Sequence, residues 1–307
     1  MKIPSKIMVC ALVTCFCLLP GSADAEQGAF RYRKAKFTQN AVPAMTVAGF
    51  MDRHVISEKE TLLDIARNYA LGFNELHLLY PEMDPWLPPE GREIEIPRMW
   101  VLPPTRHEEV VINIPEMRLY RFFAGHRLVK TYPIGIGRQG RNTPVTDTRV
   151  AAMIKNPDWT VPAESREAVG RAIVPPGPSN PLGNRWIGLG LDHLGIHGTN
   201  FPWGIGRRVS QGCIRMYPEH ITKFFTEVSL GTRVEIIYEP VKIGVREHQV
   251  FVEVHPDIHG IVDDMYEHAV SLLSERALLA GVDREELRLA AAEKNGVPAP
   301  VGIVAKP

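Results

Sequence analysis

Cys213 carries the one thiol outside the first 25 residues of this 307-residue chain, and His197 is the nearest imidazole in sequence able to serve it. A thiol is a poor nucleophile until it ionises, and an adjacent imidazole both lowers its pKa and accepts its proton. Gly212, directly before Cys213, permits backbone geometries closed to larger residues, so neighbouring N–H groups can converge on one point. That arrangement suits an oxyanion hole for a tetrahedral intermediate. His197 ends the strand-like run Trp186–Ile196, and Gly204-Ile-Gly206 lets the chain return so that the two side chains meet. Ser210 is a weaker nucleophile: it lacks the G-x-S-x-G elbow and sits beside a better one.

The compartment sharpens the cysteine argument. Lys2 and Lys6 precede the apolar run Ile7–Leu19, which Pro20-Gly21 breaks, and Ala23-Asp24-Ala25 offers a small-x-small cleavage site. The run is shorter than the roughly 20 residues that span a bilayer, so residues 1–25 read as a cleaved export signal. Cys10, Cys15 and Cys17 leave with it. An exported protein meets oxidising conditions, where cysteines usually pair. A single leftover is a free reactive thiol, an intermolecular partner or an inert buried residue, and composition alone does not choose. The 35 basic and 35 acidic side chains become 33 and 34 after removal of Lys2, Lys6 and Asp24, so no basic surplus points to nucleic acid.

The elements that must position the pair are mainly β. From 106 to 240, Val110–Ile114 is an apolar run, Met117–Phe122 alternates, Leu128–Tyr132 follows a turn, and Gly231–Tyr238 closes the region. Short strands at close spacing, separated by turn-rich stretches such as Asn156–Asn184, predict a mostly antiparallel sandwich or barrel. Residues 26–50 show no sustained period and read as a linker or arm. Residues 51–98 give strand, helix, helix, strand, with Leu62, Ile65, Ala66 and Tyr69 at helical spacing and Glu93–Pro97 alternating. Residues 241–307 read as a helical appendix after one short strand, with Asp283 and Glu286 forming a capping-box pattern.

Other patterns carry less. Gly135-Ile-Gly137-Arg-Gln-Gly140 matches G-x-G-x-x-G, but Pro144 forbids the helix a dinucleotide site requires, so it reads as a loop beside the cleft. His255, His259, Asp263 and His268 fit no standard zinc spacing and read as a solvated helix face; no metal is expected. His193, four residues before His197, reads as a β-face histidine on the same strand.

The stretch His197-Gly198-Thr199, then Ser210, Gly212, Cys213, Ile214 and Arg215, resembles the active-site signature of the L,D-transpeptidase catalytic (YkuD) family. Tyr132–Val145 and Asn156–Pro162 are similar to further family segments, so the resemblance spans about 110–240. Residues 51–98 resemble a LysM module, which implies binding to peptidoglycan glycan; Tyr80-Pro81 stands where Asn-Pro is more usual. Together they imply a periplasmic enzyme in which Cys213 attacks a peptidoglycan stem peptide and His197 moves the proton. The resemblance also implies that Gly212 supplies oxyanion donors and that Ser210, Gln211, Arg215, Gly198 and Thr199 contact substrate. The acceptor amine belongs to another stem or to a lysine of an envelope lipoprotein, and no cofactor is needed. Many members carry His where Gln211 stands, and an amide cannot act as a base, which leaves that burden to His197. The same thioester met by water gives an L,D-carboxypeptidase or amide hydrolase. A non-catalytic wall-binding protein is the reading from another class.

Overall fold

The computed structural model describes residues 28–33 and 45–304. The export-signal expectation for residues 1–25 therefore lies outside the described residues. Strand β1 (Ala29–Arg31) is followed by β2 (Val47–Val55), helices α1 (Leu62–Asn68) and α2 (Phe73–Leu79), and β3 (Glu93–Val101). β2 and β3 pair antiparallel along their full length, from Val47 opposite Val101 to Val55 opposite Glu93. Local sequence accounts for both helices. Thr61 caps α1 by accepting the Asp64 amide while Asp64 reaches back, and Glu75 accepts the Gly72 amide at 2.7 Å at the start of α2. Leu62, Ile65, Ala66 and Leu76 then face one core.

The expected linker is more ordered than its lack of period suggested. Phe30 and Tyr32 are buried, and β1 adds to the main sheet beside Val129. β2 also begins four residues ahead of the expected boundary at 51.

The middle of the chain supplies β4 (Val110–Asn113), β5 (Arg118–Phe123), β6 (Leu128–Pro133), β7 (Ile136–Gly137) and β8 (Thr146–Lys155). The long turn-rich stretch holds β9 (Trp159–Thr160), α3 (Arg166–Val169) and β10 (Ile173–Val174). Then come β11 (Arg185–Leu189), β12 (Gly195–His197), β13 (Arg208–Ser210), β14 (Ile214–Arg215), α4 (Pro218–Phe224) and β15 (Arg233–Ile237). Nine strands form one sheet in the order β1-β6-β5-β4-β15-β8-β11-β12-β14, and the fold is mainly β, 35% strand and 22% helix. All four residues of β4 are buried because both sheet faces are covered. Ile112 and Leu119 face the central core, whereas Val111, Tyr120 and Phe122 join the core of the βααβ unit.

The tail is built as β16 (Val241–Arg246), β17 (Gln249–Val254), α5 (Met265–Glu275), α6 (Arg284–Glu293) and β18 (Ala299–Ile303). Both helices are present, with Asp283 capping α6, and they pack on a three-stranded sheet that helical periodicity alone did not show. His255 departs from the expected solvated helix face. It is buried just beyond β17, with Nε2 2.6 Å from Glu253. Lys242, fully buried, sets its ammonium 2.8 Å from both Glu116 and Glu253 and 2.7 Å from the Val101 carbonyl. One cation thereby ties β3, the β4–β5 turn and the tail sheet together.

A second buried pair fixes the βααβ unit to the main sheet. Arg118, wholly buried, donates to Glu75 at 2.5 Å and lies 4.4 Å from the Trp100 ring centroid. Arg67 and Glu219 make a bidentate but half-exposed pair nearby. Breaking a buried pair strands a charge, at about 3–5 kcal/mol, whereas an exposed pair is worth about 1 kcal/mol or less. Denaturant unfolding should therefore show Glu75→Ala losing several-fold more stability than Arg67→Ala; equal losses would contradict the buried clamp.

Candidate active site

Three short strands bring the chemistry together. β11 and β12 pair antiparallel, and β12 pairs parallel with β14. Trp186 lies opposite His197, and His197 opposite Arg215. Two residues along, Gly188 lies opposite Gly195, and Cys213 immediately precedes Ile214, the partner of Ile196. Ile187, Ile196 and Ile214 are fully buried on the other face, so strand alternation sends Trp186, His197, Arg215 and Cys213 to the same face.

The imidazole is held in one tautomer. His197 Nδ1 lies 2.6 Å from the Gly198 carbonyl, which can only accept, so Nδ1 carries the hydrogen and Nε2 is left for proton transfer. Burial drives the pKa of His197 down to about 3; the Arg215 charge pushes the same way, and the Gly198 carbonyl opposes both. Cys213 is half-buried, and its sulfur lies 3.1 Å from the His193 carbonyl. Burial raises the thiol pKa, while a hydrogen bond from the Gly195 backbone and the Arg215 charge pull it back. At rest the pair is a neutral thiol and a neutral imidazole.

Around the thiol, the polar groups mostly brace the loop. Ser210 Oγ accepts from the Gly212 amide at 3.1 Å and donates to the Cys213 carbonyl at 2.5 Å. Ser210 Oγ, expected at the substrate, and the Gly212 amide, expected at the oxyanion, are thus both engaged within the loop. Gly212 still requires its glycine, with φ at +119°. Thr199 is buried and its hydroxyl accepts the Phe201 amide at 2.9 Å within its own loop. Gly198 is packed against Gly183, where a side chain would collide, and its carbonyl orients His197. Gln211 is exposed on the rim, its Oε1 3.5 Å from Arg138. Arg215 keeps a buried Nε with no hydrogen bond, and burial lowers its pKa. His193 is not on the strand face. It sits in the β11–β12 hairpin with φ at +61° and reaches Cys213 only through its carbonyl.

The G-x-G-x-x-G segment is the loop expected, with β7 pairing parallel to β13. Just beyond it, sequence reasoning missed Thr143, which is buried, accepts the Gly137 amide at 3.0 Å and donates to the Gly212 carbonyl at 2.8 Å. Trp186 was missed as well, though its strand and the glycine two residues on were visible.

Residues 107–236 match the L,D-transpeptidase catalytic domain, YkuD. The probable L,D-transpeptidase YcfS of Escherichia coli K12 is 40% identical over 224 residues, 69% of this chain and 70% of that protein. The chain belongs to the YkuD L,D-transpeptidase family. The probable L,D-transpeptidase YbiS of the same organism is 40% identical over 198 residues, 62% of this chain and 64% of the relative. The solved catalytic domain of an Enterococcus faecium L,D-transpeptidase is 18% identical, covering 44% of this chain and 100% of that one, with a TM-score of 0.34.

The neutral resting pair has a measurable signature. Alkylation of Cys213 by iodoacetamide should climb through and beyond the ordinary thiol range as pH rises, with no reactive plateau at pH 6. A plateau there would reveal a preformed thiolate–imidazolium pair and contradict the electrostatics described.

Proposed function

We propose that this protein is a peptidoglycan L,D-transpeptidase with Cys213 as nucleophile and His197 as proton carrier. The observation that carries it is the β12–β14 pairing, which sets both residues on one sheet face with Nδ1 of His197 already committed to Gly198. Cys213 attacks the carbonyl of the L-centre residue, usually meso-diaminopimelate, in a stem tetrapeptide. His197 Nε2 takes the thiol proton as the S–C bond forms and gives it to the departing amine of D-alanine as the C–N bond breaks. An acceptor amine then attacks the thioester, loses a proton to the imidazole and releases the thiol. The acceptor is a second stem or a lysine of an envelope lipoprotein.

A neutral imidazole suits this sequence, because only the unprotonated form can accept the first proton. Arg215 offsets part of the thiol's burial and favours negative sulfur during attack. With the Gly212 amide taken by Ser210, the oxyanion donor falls to the Cys213 amide at the end of the same turn. The βααβ unit fits a glycan-binding role, with Trp86 exposed on a loop that Asp84 stiffens by accepting the Trp86 and Leu87 amides. Export to the periplasm would place the thiol beside its substrate.

Intact-mass spectrometry after incubation with a carbapenem, which mimics the acyl donor, tests the assignment. One covalent adduct should form on the wild-type protein, vanish in Cys213→Ala, and slow by about 100-fold or more in His197→Ala. Folded wild-type protein that takes up no adduct would overturn the enzyme reading.

A further inference from the structure

Resting on the transpeptidase assignment, we propose that Trp186 is the positioning residue of this site: its indole lies in a slot made by Gly188 and Gly195 and holds the His197 ring in the plane that proton transfer needs. The two glycines lie opposite one another on β11 and β12, two residues along from the Trp186–His197 pair and on the same sheet face. A Cβ on Gly195 would lie 2.5–2.9 Å from three atoms of the benzo ring, and one on Gly188 would lie 3.1 Å from Nε1. Ordinary side chains would exclude the indole from this space. Ala152 continues the row beyond Gly188, so the floor is small-sided across three strands.

The indole therefore lies along the sheet instead of standing away from it. Its plane stacks on the His197 imidazole, with centroids 5.5 Å apart and 23° between planes. Its benzo edge covers Gly195, whose backbone also hydrogen-bonds the Cys213 sulfur. The indole thus meets the His197 ring and also Gly195, whose backbone neighbours the sulfur. Gly198 fixes the tautomer of His197 through Nδ1, but a single hydrogen bond leaves the ring free to pivot about it. The stacked indole removes that freedom. It also helps keep His197 at 4% exposure, while Trp186 itself remains partly open to the cleft.

Two readouts separate this role from a purely structural one. In Trp186→Phe, Trp186→Leu and Trp186→Ala, carbapenem acylation of Cys213 is followed by intact mass. His197 is followed by 15N NMR, its signal assigned by loss in His197→Ala. Misplacement of the base should slow acylation about 10- to 100-fold in Trp186→Leu and Trp186→Ala. It should also mix the two tautomers of His197, while Trp186→Phe stays within about threefold of wild type through a retained aromatic stack. Wild-type acylation rates and an unmixed Nδ1–H signature in Trp186→Leu would overturn the proposal. So would rescue by Leu as complete as rescue by Phe. Should Trp186→Ala fail to fold, the Phe and Leu variants decide, since both retain bulk in the slot. If the wild-type protein itself takes up no carbapenem, the transpeptidase assignment fails, and the NMR comparison still decides whether Trp186 positions His197.

Discussion

The parallel pairing of β12 with β14 is the constraint on which the site depends. Two adjacent parallel strands cannot be joined by a tight turn, so the chain must leave the sheet after His197 and come back to it at Cys213. Everything between is connection, and much of the molecule is engaged in holding it. β13 pairs with β7, Thr143 ties Gly137 to Gly212, and Ser210 closes the last turn before the sulfur. The βααβ unit presses on the same excursion. The Phe73 amide donates to the Ile205 carbonyl at 3.1 Å, Arg207 lies 3.7 Å from the Phe73 ring centroid, and Gly72 and Gly206 touch where neither could carry a side chain. The unit in front is therefore a buttress for the loop that leads to Cys213.

The electrostatics follow from the same placement. Directly opposite His197 across the parallel pair stands Arg215, which is buried enough that its own charge is disfavoured. A cation there discourages a second positive charge on the imidazole and favours a negative one on the sulfur. Burial acts against both ionised forms and prevails at rest. The balance gives a site that holds its proton until an electrophile arrives. The neutral thiol is also the form less reactive toward oxidants.

Much of this was legible in the sequence because it depended on local signals. Strand alternation around Met117–Phe122, the Asp283 cap and the His-Gly and Gly-Cys pairs need only neighbouring residues to be read. What remained hidden depended on contacts distant in the chain. Ser210 and Thr199 have the right chemistry to touch a substrate, and only the loop geometry shows their hydroxyls already spent on backbone amides. His255 looked like one of several polar residues on a helix, yet its partner Glu253 lies within a buried charge network linking three parts of the fold. Trp186 looked like strand filling until Gly188 and Gly195 were seen to lie opposite one another. Composition could not show that the arm around Phe30 joins the main sheet, because the edge it covers is formed by residues a hundred positions away.

The proposed chemistry is an acyl-thioester between Cys213 and a peptidoglycan stem. The most direct measurement incubates the protein with a purified stem tetrapeptide and follows intact protein mass and free D-alanine together. A tripeptidyl adduct on Cys213 should appear with one equivalent of D-alanine and be discharged by an added amine acceptor. D-alanine release without any dependence on Cys213, or neither adduct nor release from folded protein, would contradict it.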